Sequence, residues 1–140
     1  MEEKRELVKK ALDMRSTAYA PYSKFTVGAV LLCQDGDIYT GCNIENAAYT
    51  PCNCAERTAF FKAVSEGKRS FRMLAVAGGK KGEKPRNFCM PCGVCRQVME
   101  EFCRGDFTVI VAKSETEYKE YRLEELLPLA FGLEALEETK

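Results

Sequence analysis

The chain has 140 residues, with 21 Lys plus Arg against 21 Asp plus Glu, a formal net charge of zero. That length suits one domain with one core, spanning residues 1–140, and the even charge argues against a protein that grips a nucleic-acid polymer, which usually carries a basic surplus. Histidine is absent, which excludes Ser–His and Cys–His hydrolases and any metal site that needs imidazole.

No apolar run of about 18 residues is present to cross a membrane. The charged start, Met1-Glu2-Glu3-Lys4-Arg5-Glu6, leads into no signal-peptide stretch. A cytoplasmic location follows as the expectation. In a reducing compartment the eight cysteines point to metal binding, catalysis or burial before disulfides.

In chain order, Glu3 to Ala18 has helical spacing, with Leu7, Val8, Ala11, Leu12 and Ala18 on one face. Phe25 to Cys33 reads as a buried strand, Asp35-Gly36 as a hairpin turn, and Ile38 to Cys42 as the return strand. A polar loop fills Asn43 to Asn53. A second helix spans Ala55 to Gly67, with the glycine as its cap. Phe71 to Ala77 is a third strand, followed by a basic loop from Gly78 to Met90. Cys92 to Cys103 makes a third helix, with Cys95, Val98, Met99, Phe102 and Cys103 inward. Phe107 to Ala112 and Tyr118 to Arg122 are further strands, and Leu123 to Leu127 is a short helix stopped by Pro128, with room for one more turn in the tail. A hairpin followed by alternating helices and strands predicts an α/β fold, a three-layer α/β/α sandwich around a mixed five-stranded sheet. Periodicity does not give the strand order.

Two segments carry chemistry: Cys52-Asn53-Cys54-Ala55-Glu56-Arg57 and Pro91-Cys92-Gly93-Val94-Cys95. Each sits where a helix should begin. Cysteines at i and i+3 share a face and can grip one metal ion, and the helix dipole favours thiolate over thiol there. Cys54 can complete a three-thiolate set. Glu56 and Cys54 can both face the ion only if it lies off the helix end, because residues two apart in a helix point about 200° apart. A carboxylate so placed can take a proton from water activated by zinc. Arg57, one turn after Cys54, can donate to the sulfurs and offset their charge.

Blander readings exist for each part. C-x-x-C alone is more often structural zinc or a redox dithiol. Glu56 alone suits a first helical turn, Asn43 and Glu45 suit a turn, and Phe25 and Phe131 suit a core. C-A-E combined with P-C-x-x-C is a signature of zinc deaminases, with cysteine replacing the usual histidine.

The chain resembles the small homotetrameric cytidine deaminases of bacterial type. The resemblance rests on Tyr19-Ala20-Pro21-Tyr22-Ser23-Lys24-Phe25, Gly41-Cys42-Asn43-Ile44-Glu45-Asn46-Ala47-Ala48-Tyr49, Cys54-Ala55-Glu56-Arg57, Pro91-Cys92-Gly93-Val94-Cys95-Arg96-Gln97 and Leu126-Leu127-Pro128-Leu129-Ala130-Phe131. It implies that Cys54, Cys92 and Cys95 hold one Zn(2+) per subunit and that Glu56 is the proton shuttle. It further implies that Asn43 and Glu45 bind the ribose 3′-hydroxyl, Phe25 packs beside the base, and the backbone at Ala55 contacts the pyrimidine. Phe131 would close over the base in a neighbouring subunit's site, with Tyr49 near that shared site. The substrate expected is a free nucleoside, cytidine or 2′-deoxycytidine, hydrolysed to the uridine plus ammonia in pyrimidine salvage, by a homotetramer with shared sites.

Departures from that pattern are Val94, where many relatives have alanine, and the basic insert Lys80 to Met90. Cys52 and Cys89 each flank a ligand cysteine, and either as a fourth ligand would make the zinc structural. Cys33, Cys42 and Cys103 read as buried small hydrophobes.

Overall fold

The computed structural model describes residues 2–136. The elements in chain order are α1 (Glu2–Met14), β1 (Phe25–Cys33), β2 (Ile38–Cys42), α2 (Ala55–Ser65), β3 (Phe71–Lys80), α3 (Gly93–Phe102), β4 (Thr108–Ala112), β5 (Tyr118–Arg122) and α4 (Leu123–Leu126). Short 3₁₀ turns follow α1 at Arg15–Thr17 and close the described chain at Leu133–Leu136. No helix among the described residues is long and apolar enough to cross a membrane.

The five strands form one sheet in the order β2-β1-β3-β4-β5. Pairing is antiparallel except between β3 and β4, which run parallel with Leu74 opposite Val109. That parallel pair needs a crossover, and α3 supplies it. The sheet is therefore mixed, as expected from the element pattern.

Alternation along the strands sends side chains to two cores. On one face, Val30, Leu32, Met73, Ala75 and Ile110 pack against Leu7, Val8 and Ala11 of α1. On the other, Ala29, Leu31, Leu74, Val76, Val109 and Val111 pack against Ala59, Phe60 and Ala63 of α2 and Cys95 and Met99 of α3. Phe60 lies at the centre of that face, with its ring centroid 5.2 Å from Phe71 and 6.2 Å from Phe107. Helices thus cover both faces, giving the three-layer sandwich.

Most bounds fall within one or two residues of the sequence reading, and two elements differ by more. The first helix ends at Met14, with Ala18 extended beyond the 3₁₀ turn rather than on the helix face. The third strand does not stop at Ala77 but continues through Gly78, Gly79 and Lys80, paired to Val27, Thr26 and Phe25. The glycines serve close packing. A Cβ on Gly78 would lie 2.7 Å from Cys89 Sγ, and one on Gly79 would lie 2.8 Å from Pro85 Cα. The basic insert folds back onto the strand there, and Phe88 is capped by Lys113 and Lys119, whose Nζ atoms lie 5.1 and 4.6 Å from its ring centroid.

Candidate active site and metal centre

The hairpin positions the first half of the site. Gly41 of β2 lies directly under the start of α2: a Cβ there would meet Ala55 O at 2.3 Å and Ala59 N at 2.7 Å. Only glycine lets the helix end approach so closely. Thr58 reinforces the contact, its hydroxyl lying 3.0 Å from Cys42 O and 3.1 Å from Cys54 O.

Cys54 occupies the extended residue before α2 (φ −77°, ψ 157°), and Cys92 occupies the same place before α3 (φ −71°, ψ 169°). Each carbonyl accepts the first intrahelical bond, from Thr58 and Arg96 respectively. Two helix N-termini thus converge on one point, and their dipoles both favour thiolate there. Cys54 Sγ and Cys92 Sγ are 3.7 Å apart, and with Cys95 Sγ all three sulfurs lie within 4.8 Å of one another. Tetrahedral zinc with bonds of about 2.3 Å places sulfurs about 3.8 Å apart, so the spacing fits that ion.

The charges fit as well. The Cys54 thiol is pushed down, first by hydrogen bonding with Cys95 and then by Arg57, while Cys95, which keeps the proton of that pair, is pushed up. Arg57 Nη2 donates to Cys54 Sγ at 3.2 Å, while its buried Nε has no acceptor. The guanidinium is paired with sulfur rather than with a carboxylate, which suits a centre of surplus thiolate charge. Glu56 is only 4% exposed, and burial, the largest influence, pushes its carboxyl up to about 7 in the metal-free chain. A deeply buried carboxyl group next to the metal-holding cysteines is placed for proton transfer.

The two other cysteines near the ligands are engaged elsewhere. Cys52 Sγ accepts the Asn46 N–H at 3.2 Å and bridges the turn that carries Tyr49. Cys89 packs on Gly78, and burial pushes its thiol up to about 11. Neither belongs to the three-sulfur cluster found among the described residues, and a set of three protein ligands suits a catalytic rather than a structural zinc site. Of the remaining cysteines, Cys33 is buried as expected, whereas Cys42 and Cys103 are only partly buried.

A cleft of about 280 Å³ opens beside the cluster, lined by Ser23, Asn43, Glu45, Tyr49, Cys54 and Arg57 among others. Asn43 Oδ1 accepts the Val27 N–H and its Nδ2 donates to Phe25 O, both at 2.8 Å, fixing the start of β1. Glu45 is partly exposed rather than buried. It accepts the backbone N–H groups of Tyr22 and Ser23 at 3.0 and 3.1 Å and the Ser23 hydroxyl, which chiefly holds its carboxyl below the ordinary value. Each keeps spare capacity, a second amide proton on Asn43 and further lone pairs on both. Ser23 as the orienting partner of Glu45 was missed in the sequence; its place two residues before Phe25 gave no periodic signal.

Phe25, Ala55, Glu56, Cys92, Cys95 and Phe131 do not line the cleft of the single chain. Phe25 sits at the outer end of β1, and Phe131 is 61% exposed on the C-terminal segment. A larger groove of about 890 Å³ lies elsewhere, beside Arg5, Arg15, Lys81 and Lys84. It holds none of the metal cluster, so size does not mark the site here.

Known proteins match this architecture. Residues 1–112 match the family model for the cytidine and deoxycytidylate deaminase zinc-binding region. The chain is 51% identical over 131 residues to a cytidine deaminase of Sporosarcina psychrophila, covering 94% of this chain and 93% of that protein. It is 48% identical over 128 residues to one from Halalkalibacterium halodurans, covering 91% and 93% respectively. Among solved structures it is similar to a cytidine deaminase from Burkholderia pseudomallei, with TM-score 0.82, 42% identity and coverage of 90% of this chain and 97% of that one. It is also similar to one from Mycobacterium tuberculosis, with TM-score 0.79, 36% identity and coverage of 94% and 98%. The converging helix ends, the three-sulfur cluster and these matches lead to one conclusion: the chain belongs to the cytidine deaminase family of zinc-dependent enzymes.

Proposed function

We propose that residues 1–140 form one catalytic domain that hydrolyses cytidine and 2′-deoxycytidine to uridine and 2′-deoxyuridine with release of ammonia, in the cytoplasm and in pyrimidine salvage. The observation that carries this reading is an open set of three cysteines beside one deeply buried carboxylate, Glu56. Cys54, Cys92 and Cys95 would hold the ion. When bound, zinc supplies Lewis acidity that brings the pKa of water toward neutrality.

Glu56 takes the proton of the attacking water as its oxygen adds to the ring carbon bearing the amine. It passes that proton to the adjacent ring nitrogen. It then relays the proton of the added hydroxyl to the amine, the carbon–nitrogen bond breaks as the carbonyl forms, and ammonia leaves. The balance is one water consumed and one ammonia released per nucleoside. Backbone groups at Ala55 contact the pyrimidine, and Arg57 offsets thiolate charge that would otherwise weaken the Lewis acid.

Asn43 and Glu45 face the cleft with their bonds to β1 and to the Tyr22–Ser23 turn already made. They offer a preorganised donor and acceptor to the ribose 3′-hydroxyl. A ligand without that hydroxyl leaves them unpaired and is penalised. Tyr49 lines the cleft, Phe25 would reach the base from the start of β1, and Phe131 would cover the base in a neighbouring subunit of a homotetramer. Phe131, Leu129 and Tyr49 are exposed in the single chain, which is compatible with cover from a neighbouring subunit.

The test follows the cytidine absorbance band with the purified zinc-loaded protein. Cytidine and 2′-deoxycytidine are expected to lose the band with release of ammonia, free cytosine to react poorly, and chelation to stop the reaction. Comparable turnover of cytosine would refute the sugar-binding roles, and no turnover of either nucleoside would refute the reading as a whole.

A further inference from the structure

The segment that carries Phe131 is bound to the metal-holding turn by two consecutive side chains of α3. Arg96 Nε donates to Pro91 O at 2.7 Å, and its Nη1 donates to Leu126 O at 2.6 Å. Pro91 is fully buried and immediately precedes Cys92, while Leu126 is the last residue of α4 and is buried in the core. One planar guanidinium therefore spans the turn and the start of the C-terminal strap. Gln97 Nε2 then donates to Phe131 O at 2.8 Å.

The strap has little else to hold it. Beyond one tight turn at Pro128 and Leu129, residues 128–131 make no backbone–backbone hydrogen bond among the described residues. Leu129 sits at φ 53° with its side chain fully exposed, and a leucine in the left-handed region persists only where surroundings impose it. At the strap's far end, a Cβ on Gly132 would lie 3.2 Å from Glu100 Oε2. Gln97 and Glu100 are three apart on one helical face, so the strap runs along that face. Phe131 itself is mostly exposed, so its position is inherited from its own backbone.

We propose that Arg96 and Gln97 are positioning residues that tie the metal-holding turn to the Phe131 strap, so that nucleoside affinity depends on hydrogen bonds made outside the cleft. This rests on the reading of Phe131 as the aromatic that covers the base in a neighbouring site. Held in place, Phe131 meets the base without further ordering. Released, it must be ordered on binding, which lowers affinity but leaves the chemical step alone.

The test compares zinc-loaded wild type, Gln97→Ala, Phe131→Ala and the double variant. Gln97→Ala is expected to raise KM for cytidine about five- to tenfold, the range for one lost hydrogen bond. Its kcat and zinc content should stay unchanged, while amide exchange speeds up at residues 129–131. In the Phe131→Ala background the same change should have no further effect on KM. Gln97→Lys, which keeps a donor, should recover most of the affinity. Arg96→Lys, which keeps the charge but loses the two-carbonyl span, should release zinc to a chelator several-fold faster. If Phe131→Ala raises KM and Gln97→Ala does not, the tie is wrong while the role of Phe131 stands. If Phe131→Ala leaves KM unchanged, the reading of Phe131 fails and takes the tie with it. Loss of zinc or kcat in Gln97→Ala, or an unchanged release rate in Arg96→Lys, also overturns it.

Discussion

The two faces of the sheet are covered by helices, yet only one carries chemistry. Against α1 the buried contacts are aliphatic side chains and Met73, and the helix approaches side-on. On the opposite face α2 and α3 contribute aromatic, sulfur and aliphatic packing, and both point their N-termini at one spot. Two adjacent glycines of the hairpin make the contrast concrete. A Cβ on Gly28 would strike Ala11 O at 2.1 Å in α1, whereas one on Gly41 would strike Ala55 O at 2.3 Å at the start of α2. The steric demand is alike, and only the second sits next to Cys54 and Glu56. A helix packed by its side stabilises the fold, while a helix packed by its end also places a reactive group.

The largest effect expected is at Glu56. Glu56→Gln should keep zinc and lower kcat at least about a hundredfold, the low end for general acid–base catalysis, as measured by steady-state rates with metal analysis alongside. Retained activity would remove Glu56 from the mechanism. Next comes Gly41→Ala. Pushing the start of α2 off the hairpin should cost about 1–3 kcal/mol, as overpacking does, and should also lower zinc content and activity. Gly28→Ala should cost a similar amount in thermal melting but leave zinc content and kcat/KM near wild type. Equal zinc loss in both glycine variants would erase the contrast between the faces. The smallest expected effect is at Glu45. Its carboxylate is held by the Tyr22–Ser23 turn, so Ser23→Ala should raise KM a few-fold through a loosened acceptor, with kcat unchanged. A change confined to kcat would contradict that role.

Much of this was legible in the chain. The strands Phe25–Cys33, Ile38–Cys42 and Tyr118–Arg122 have the ends that turn residues and apolar runs implied. The cysteine triad was legible because helix starts and i, i+3 spacing are local properties, and the resemblance fixed which cysteines pair with which role. What stayed hidden was non-local. Gly78 and Gly79 read as the start of a loop because their reason, Cys89 and Pro85 lying on the strand, exists only after the insert folds back. The strand order, the bond from Ser23 to Glu45 and the grip of Arg96 and Gln97 on the strap all join segments far apart in sequence. Helical periodicity marked Met99 and Cys95 as inward, but it carries no signal for a polar side chain that bonds a distant carbonyl.

The central claim is that three cysteines hold zinc with one position open beside Glu56. X-ray absorption at the zinc edge of the loaded protein tests it most directly. The account predicts three sulfurs at about 2.3 Å and one light atom. Four sulfurs would mean that Cys52 or Cys89 closes the centre, and would contradict a catalytic metal.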